Sequence, residues 1–255
     1  MAPHRQEHAR ARRAYGQNFL TDPRSLRQVV AATDIGPGDL VYEVGAGRGH
    51  LTAELARRTR RLVAYEVDPE LAAALPDRPG VTVRAGDFLR AVPPAEPFAV
   101  VGNIPYALTS AVVEWCLDAP ALTTATLVTQ LEYARKRTGD YGRWSRLTIR
   151  TWPHHAWELA GRLPRTAFRP VPRVDGGVLR VRRRPVPLMP DLADWQRFVD
   201  LGFTGLGGSL QATLTGRYGV RRTAAAFRAV RLAPGVPVGQ VWPEQWLTLY
   251  RLLSR

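Results

Sequence analysis

Residues 40–55, LVYEVGAGRGHLTAEL, restrict the fold more than any other stretch of the chain. A short, mostly apolar run breaks directly into Gly45, Gly47 and Gly49, and Leu51 and Leu55 follow at helical spacing. An apolar run of this length suits a strand buried on both faces, as in a parallel sheet. The glycines let bare backbone bend sharply and approach a ligand closely. The same alternation continues along the chain. Leu62–Glu66, Val81–Val83, Phe98–Val101 and Thr124–Leu131 read as further strands. Asp22-Pro23 and Asp68-Pro69 read as helix starts, a capping carboxylate followed by proline at the first helical position. Leu26, Val29 and Val30 follow the first of these at helical spacing, and another helix is expected from about Thr109 to Leu117. Strands alternating with short helices give a parallel sheet wound on both faces. At 255 residues and 45% hydrophobic, the chain can bury such a core.

The pattern then changes. His155–Leu159 and Gly177–Arg182 are strand-like with little helix between them, and are expected to close the sheet as an antiparallel hairpin. Pro185, Pro187 and Pro190 mark a linker. Beyond it, Trp195, Phe198 and Val199, and later Trp246, Leu249, Tyr250 and Leu253 behind Pro243, mark helices. The expected organisation is an α/β domain over 1–188 with a basic N-terminal arm, then a small helical domain over 189–255. No apolar run approaches the ~18 residues that span a bilayer, and the basic start MAPHRQEHARARR lacks the apolar stretch of a secretory signal. Cys116 is the only cysteine, so neither an internal disulfide nor a cysteine-based metal site is possible. The five histidines do not fall at ligand spacing. A cytoplasmic monomer without a metal is the expectation.

Charge points to a partner. The net charge is +14, and every basic residue except Lys136 is arginine. Its distribution is uneven: residues 34–129 carry eight basic and twelve acidic residues, whereas 130–184 carry fourteen and four. An excess of this size favours a polyanion, and nucleic acid is the common one.

The glycine turn narrows the ligand. A dinucleotide fingerprint needs G-x-G-x-x-G, but here the third glycine arrives one residue early and His50 stands in its place. No lysine follows, which excludes a phosphate-gripping P-loop. Glu66 closes the second strand, 21 residues after Gly45, where a carboxylate can accept from a ribose diol. Asp87 closes the third strand on the same edge, where an adenine could be held. Two carboxylates repel a pyrophosphate but suit a ligand carrying a sulfonium and an ammonium, which S-adenosylmethionine does. Each element alone has a plainer reading, the glycines as a turn and Glu66 as part of a helix cap with Asp68.

The corner Asn103-Ile104-Pro105-Tyr106 follows the fourth strand, expected beside the first and so facing the reactive end of the cofactor. An exocyclic adenine amine is a poor nucleophile because its lone pair is delocalised into the ring. The Asn103 side-chain carbonyl and the Ile104 backbone carbonyl could accept its two hydrogens and favour a pyramidal nitrogen. Pro105 fixes φ and biases Ile104 toward extended backbone. Tyr106 offers a ring face to a base taken out of its stack.

With these motifs in order, the chain resembles the Erm-type 23S rRNA adenine N6-methyltransferases of the rRNA adenine dimethylase superfamily. The resemblance runs from about Arg12 to Arg184 through Gly16-Gln17-Asn18-Phe19-Leu20, Glu43-Val44-Gly45-Ala46-Gly47, Glu66, Gly86-Asp87, Asn103 to Tyr106, and Phe168-Arg169-Pro170-Val171-Pro172-Arg173-Val174-Asp175. It implies a Rossmann-like S-adenosylmethionine methyltransferase sheet with a C-terminal helical domain. It also implies methyl transfer to an adenine N6 of 23S rRNA, giving resistance to macrolide, lincosamide and streptogramin B antibiotics. Implied cofactor contacts are Asn18, Leu20, Gly45, Glu66, Asp87 and Asn103, with Gly47 in the same turn; Asn103 and Tyr106 would handle the base and Phe168 pack against it. Phe168 also reads as a core residue of a rigid connector. Arg180, Arg182, Arg183 and Arg184 read either as a solvated strand edge or, preferred here, as phosphate contacts. Competing functions are a small-subunit (16S) rRNA adenine dimethylase, a DNA adenine methyltransferase, and a non-catalytic RNA-binding factor on the same fold.

Overall fold

The computed structural model describes residues 17–189 and 191–254. The basic arm over 1–16, with Gly16 of the first motif, and the linker residue Pro190 lie outside the described residues. Nine strands are described: β1 Phe19–Leu20, β2 Leu40–Val44, β3 Arg61–Glu66, β4 Val81–Ala85, β5 Phe98–Asn103, β6 Leu122–Gln130, β7 His155–Leu163, β8 Phe168–Arg169 and β9 Gly176–Arg183. Seven form one sheet in the order β4-β3-β2-β5-β6-β9-β7, while β1 and β8 pair antiparallel by themselves.

From β4 to β6 the strands are parallel, and β9 runs antiparallel to β6. The chain winds outward from β2 to β3 and β4, then returns to place β5 on the other side of β2, with Val44 opposite Gly102. That reversal opens a crevice at the carboxyl ends of β2 and β5, the usual ligand position in a sheet of this kind. The glycine turn and the Asn103 corner therefore meet there. Strand β5 runs two residues further than the sequence predicts, so Asn103 is held in the ladder opposite Val128.

Local chemistry explains the helices. Asp22 accepts from Ser25 N–H at 2.8 Å with Pro23 next, and Leu26, Val29 and Val30 are buried. Asp68 accepts from the Glu70 and Leu71 N–H groups in the same way. One face of the sheet packs Val29, Val41, Leu51, Leu55, Val101 and Val178 into a core. Tyr42, Tyr65, Phe88, Phe98 and Trp115 form a chain of ring contacts, with centroids 4.4–6.1 Å apart.

The chain divides into two compact units, residues 17–134 with 158–183, and residues 135–157 with 184–254. A boundary at 188/189 thus leaves out a segment that belongs with the C-terminal helices. Helix Arg146–Thr151 in that segment, and helix Leu131–Thr138 whose second half falls in it, carry no long apolar stripe and were not visible as helices in the sequence. The second unit also holds helices Leu192–Gly202, Leu210–Tyr218, Val220–Ala229 and Pro243–Leu253 around Trp195, Phe198, Leu214, Phe227 and Trp246.

Candidate active site

A cavity of about 600 Å³ lies in the first unit at the crevice between β2 and β5. Asn18, Gly45, Gly47, Glu66, Asp87, Asn103, Ile104, Pro105 and Tyr106 all line it, so nine of the eleven site residues proposed from the sequence share one wall system. Val67, Phe88, Leu89 and Val112 add apolar surface.

The glycine turn is shaped from within. Gly45 and Ala46 N–H groups both donate to the Tyr65 carbonyl at 3.0 Å, Gly47 N–H donates to Glu66 Oε2 at 2.7 Å, and Gly49 N–H donates to the Ala46 carbonyl. Four of the turn's amides are thus engaged inside the protein, and the Glu66 carboxylate beside them disfavours a pyrophosphate. Gly47 has φ +57, and a Cβ there would lie 3.0 Å from the Phe19 ring, so a side chain would be both strained and crowded.

Glu66, 1% exposed, holds the turn and its neighbours together. Besides Gly47 it accepts from Asp68 N–H at 3.0 Å and from Gln17 Nε2 at 3.4 Å. Gln17 lines the cavity too. Sequence reasoning passed over it, because the contact joins residues 49 positions apart. Asp87 Oδ1 caps the turn after β4 by accepting from Leu89 N–H at 3.0 Å.

At the other side of the crevice, Asn103 Nδ2 donates to the Asn18 carbonyl at 2.7 Å. Tying down the amide nitrogen fixes the orientation of the group and leaves Oδ1 as an acceptor. Gly102 makes this approach possible. A Cβ on it would lie 2.7 Å from the Val44 carbonyl oxygen, inside the backbone of the neighbouring strand. Tyr106 Oη is buried without a hydrogen-bond partner among the described residues. Burial, followed by the Asp175 charge, pushes its phenol above the usual range. Asp175 is held in turn by Arg162 at 2.6 Å and the Arg165 N–H at 2.8 Å, which keep its carboxyl below the usual range.

Behind the turn lies Glu43, 0% exposed and with no hydrogen bond to either carboxyl oxygen. Burial pushes its pKa up to about 8; the nearby Thr52 hydroxyl offsets part of the rise and the Glu66 charge adds to it. Burial thus favours its protonated, neutral form.

Two groups of residues singled out in the sequence lie away from the cavity lining. Leu20 and Phe168 do not line the cavity. They pair with each other across β1 and β8, are 3% and 0% exposed, and belong to the core. Gly176 leaves room for the Phe168 ring, since a Cβ there would sit 2.9 Å from it. The basic run after Asp175 is also largely structural. Arg180, its side chain 15% exposed, bonds Glu158, Asp34 and the Ala32 carbonyl. Arg183 caps the carbonyls of Leu122 and Ala119, and Arg184 donates to Trp152. Arg182 alone of the four is exposed.

The family model for ribosomal RNA adenine dimethylase matches residues 8–255. The chain belongs to that family. Within this dimethylase family, a Streptomyces fradiae protein described as an rRNA adenine N-6-methyltransferase is 55% identical over 96% of this chain and 79% of its own length. The crystal structure of the 23S rRNA methyltransferase ErmE superposes with a TM-score of 0.91 at 48% identity, covering 93% of this chain and 100% of that one. A 36% identical Micromonospora griseorubida relative, aligned over 94% of this chain and 78% of its own, is described as a mycinamicin-resistance protein. A Thermobifida fusca relative described as a small-subunit rRNA methyltransferase is 35% identical over 89% of this chain and 83% of its own. The resemblance read from the motifs is therefore borne out, as is the methyltransferase sheet. No group of three or more His, Cys, Asp or Glu among the described residues is arranged to hold a metal, and no described helix is long and apolar enough to cross a membrane.

Proposed function

We propose that this protein is an S-adenosylmethionine-dependent methyltransferase acting on N6 of an adenine in 23S rRNA, and that the modification confers macrolide, lincosamide and streptogramin B resistance. The observation that carries the reading is the Asn103 amide, anchored through Nδ2 to Asn18 so that Oδ1 is an acceptor at the cavity.

The cavity's donor set fits the cofactor. Four amides of its glycine turn are engaged internally, and two carboxylates stand beside apolar walls. Glu66 and Asp87 would hold the nucleoside, with Gly45, Gly47 and Asn18 against the remainder. When bound, S-adenosylmethionine supplies a methyl group on a sulfonium, already attached to a good leaving group. The protein's share is then positioning. Asn103 Oδ1 and the Ile104 carbonyl accept the two N6 hydrogens and hold the amine still. The Tyr106 ring supports the base, and the proton released from N6 passes to water. Pro105, at φ −56, stiffens the corner.

Binding of the RNA falls to the basic surfaces, the helical second unit among them, and the enzyme works in the cytoplasm as a monomer. Identity favours the large subunit, because the 48% identical ErmE structure is described as a 23S rRNA methyltransferase while the small-subunit relative stands at 35%. The test is methyl transfer from labelled S-adenosylmethionine to purified 23S and 16S rRNA, with the modified adenines mapped. Label confined to 23S rRNA is expected. Label confined to 16S rRNA would make the protein a small-subunit dimethylase, and no label in either would remove the enzyme reading.

A further inference from the structure

Away from the cavity, the second unit carries a row of aromatic contacts. The Arg184 guanidinium lies 5.2 Å from the Trp152 ring centroid, Trp152 meets Trp144 edge-on at 5.4 Å, and Trp144 meets Trp242 at 5.6 Å. Trp144 is 8% exposed, but Trp242, at the end of the row, is 55% exposed. It is also fixed. Its N–H donates to Gln245 Oε1 at 3.0 Å, its carbonyl accepts from Trp246, and Pro243 follows. A rigid ring loses little freedom when something stacks on it.

The same Gln245 amide donates through Nε2 to the Val230 carbonyl at 3.0 Å, tying Trp242 to the turn at Arg231. Arg231 has φ +56, the one positive φ outside glycine among the described residues. Glycine would occupy this helix-ending position without strain. Arginine stands there instead, exposed. On the other side, Trp144 N–H donates to the Gly239 carbonyl, bringing exposed Arg143 toward the segment that leads to Trp242. Residues 201–254 hold six arginines and a single acid, Glu244. The two arginines tied to this segment, Arg231 and Arg143, are both exposed, and Glu244 is the one acid beside the ring in sequence. A polyanion with exposed π-faces meets both the ring and the charge.

We propose that Trp242, Arg231 and Arg143 form a docking platform for an unpaired RNA nucleotide, its base on the Trp242 ring and its flanking phosphates on the two guanidinium groups. The platform rests on the rRNA reading above and names where in the second unit unpaired RNA is held. The test uses the full chain and compares binding of a short unstructured RNA oligonucleotide with a duplex RNA of the same length. Trp242→Ala should weaken the oligonucleotide about tenfold and leave the duplex nearly unchanged, while Trp242→Phe keeps most of the affinity. Arg231→Gly should raise the melting temperature yet lower RNA affinity several-fold, with a salt slope shallower by about one counterion. A platform with only a structural role would give the gain in stability without the loss. Unchanged oligonucleotide affinity in Trp242→Ala, equal losses on both RNAs, or full affinity in Arg231→Gly would overturn the proposal. Methyl transfer by the unaltered enzyme is measured alongside. If it proceeds while the variants bind normally, the platform fails and the enzyme reading stands; if it is absent, the enzyme reading fails and the binding comparison still decides the platform.

Discussion

Replacing Glu43 by Gln should change how stability depends on pH. The Glu43 carboxyl is fully buried without a hydrogen bond, and its pKa rises from 4.5 to about 8 on folding. The folded state thus holds this proton more tightly than the unfolded chain. Stability from Glu43 is complete below pH 4.5 and is lost as pH rises toward 8. A rise from 4.5 to about 8, at about 1.36 kcal/mol per unit, corresponds to a swing on the order of several kcal/mol across that window. Glutamine keeps the shape and cannot ionise, so the variant lacks this slope. Its amide adds a pH-independent cost for a buried, poorly satisfied polar group, so the diagnostic quantity is the slope of the difference. Urea unfolding of both proteins from pH 5 to 9, followed by far-UV circular dichroism, supplies it, since every other titrating group is common to both. The difference should swing toward the variant by several kcal/mol between pH 5 and 8 and level off above. Parallel curves across the whole range would refute a protonated Glu43.

Gly102→Ala forces a Cβ to within 2.7 Å of the Val44 carbonyl oxygen. It should cost about 1–3 kcal/mol and reduce methyl transfer by moving the adjacent Asn103; an unchanged melting temperature would contradict the close approach of β2 and β5. Arg180→Ala should destabilise by up to about 1 kcal/mol, since its partners Glu158 and Asp34 are exposed enough for water to replace the guanidinium, with RNA affinity nearly unchanged at equal folded fraction. A large loss of RNA affinity without destabilisation would return Arg180 to the role of phosphate contact.

The frame of the protein was legible because its signals are local. Asp22-Pro23 and Asp68-Pro69 cap helices with residues two or three positions away, and the glycine turn and the Asn103 corner each end a strand whose apolar pattern is continuous. Placing β5 beside β2 followed from the winding of a parallel sheet, and that adjacency joins the two halves of the site. What escaped depends on distant partners. The Asn103 anchor reaches 85 residues back to Asn18, and Arg180 finds Asp34 146 residues away. Phe168 looked equally suited to a ligand or to a core, and its pairing with Leu20 and the space left by Gly176 could not be read from the sequence. The Leu131–Thr138 helix was hidden for another reason. With one fully buried side chain, Ala134, it has almost no apolar stripe to read.

Methyl transfer by Asn103→Ala, measured at saturating cofactor and RNA with RNA affinity determined in parallel, tests the central claim most directly. Loss of one positioned acceptor at the reacting amine should lower the turnover rate about 10²–10³-fold, while RNA affinity stays near that of the unaltered protein. A turnover rate within a few-fold of normal, or equal losses of turnover and RNA affinity, would contradict the role given to Asn103.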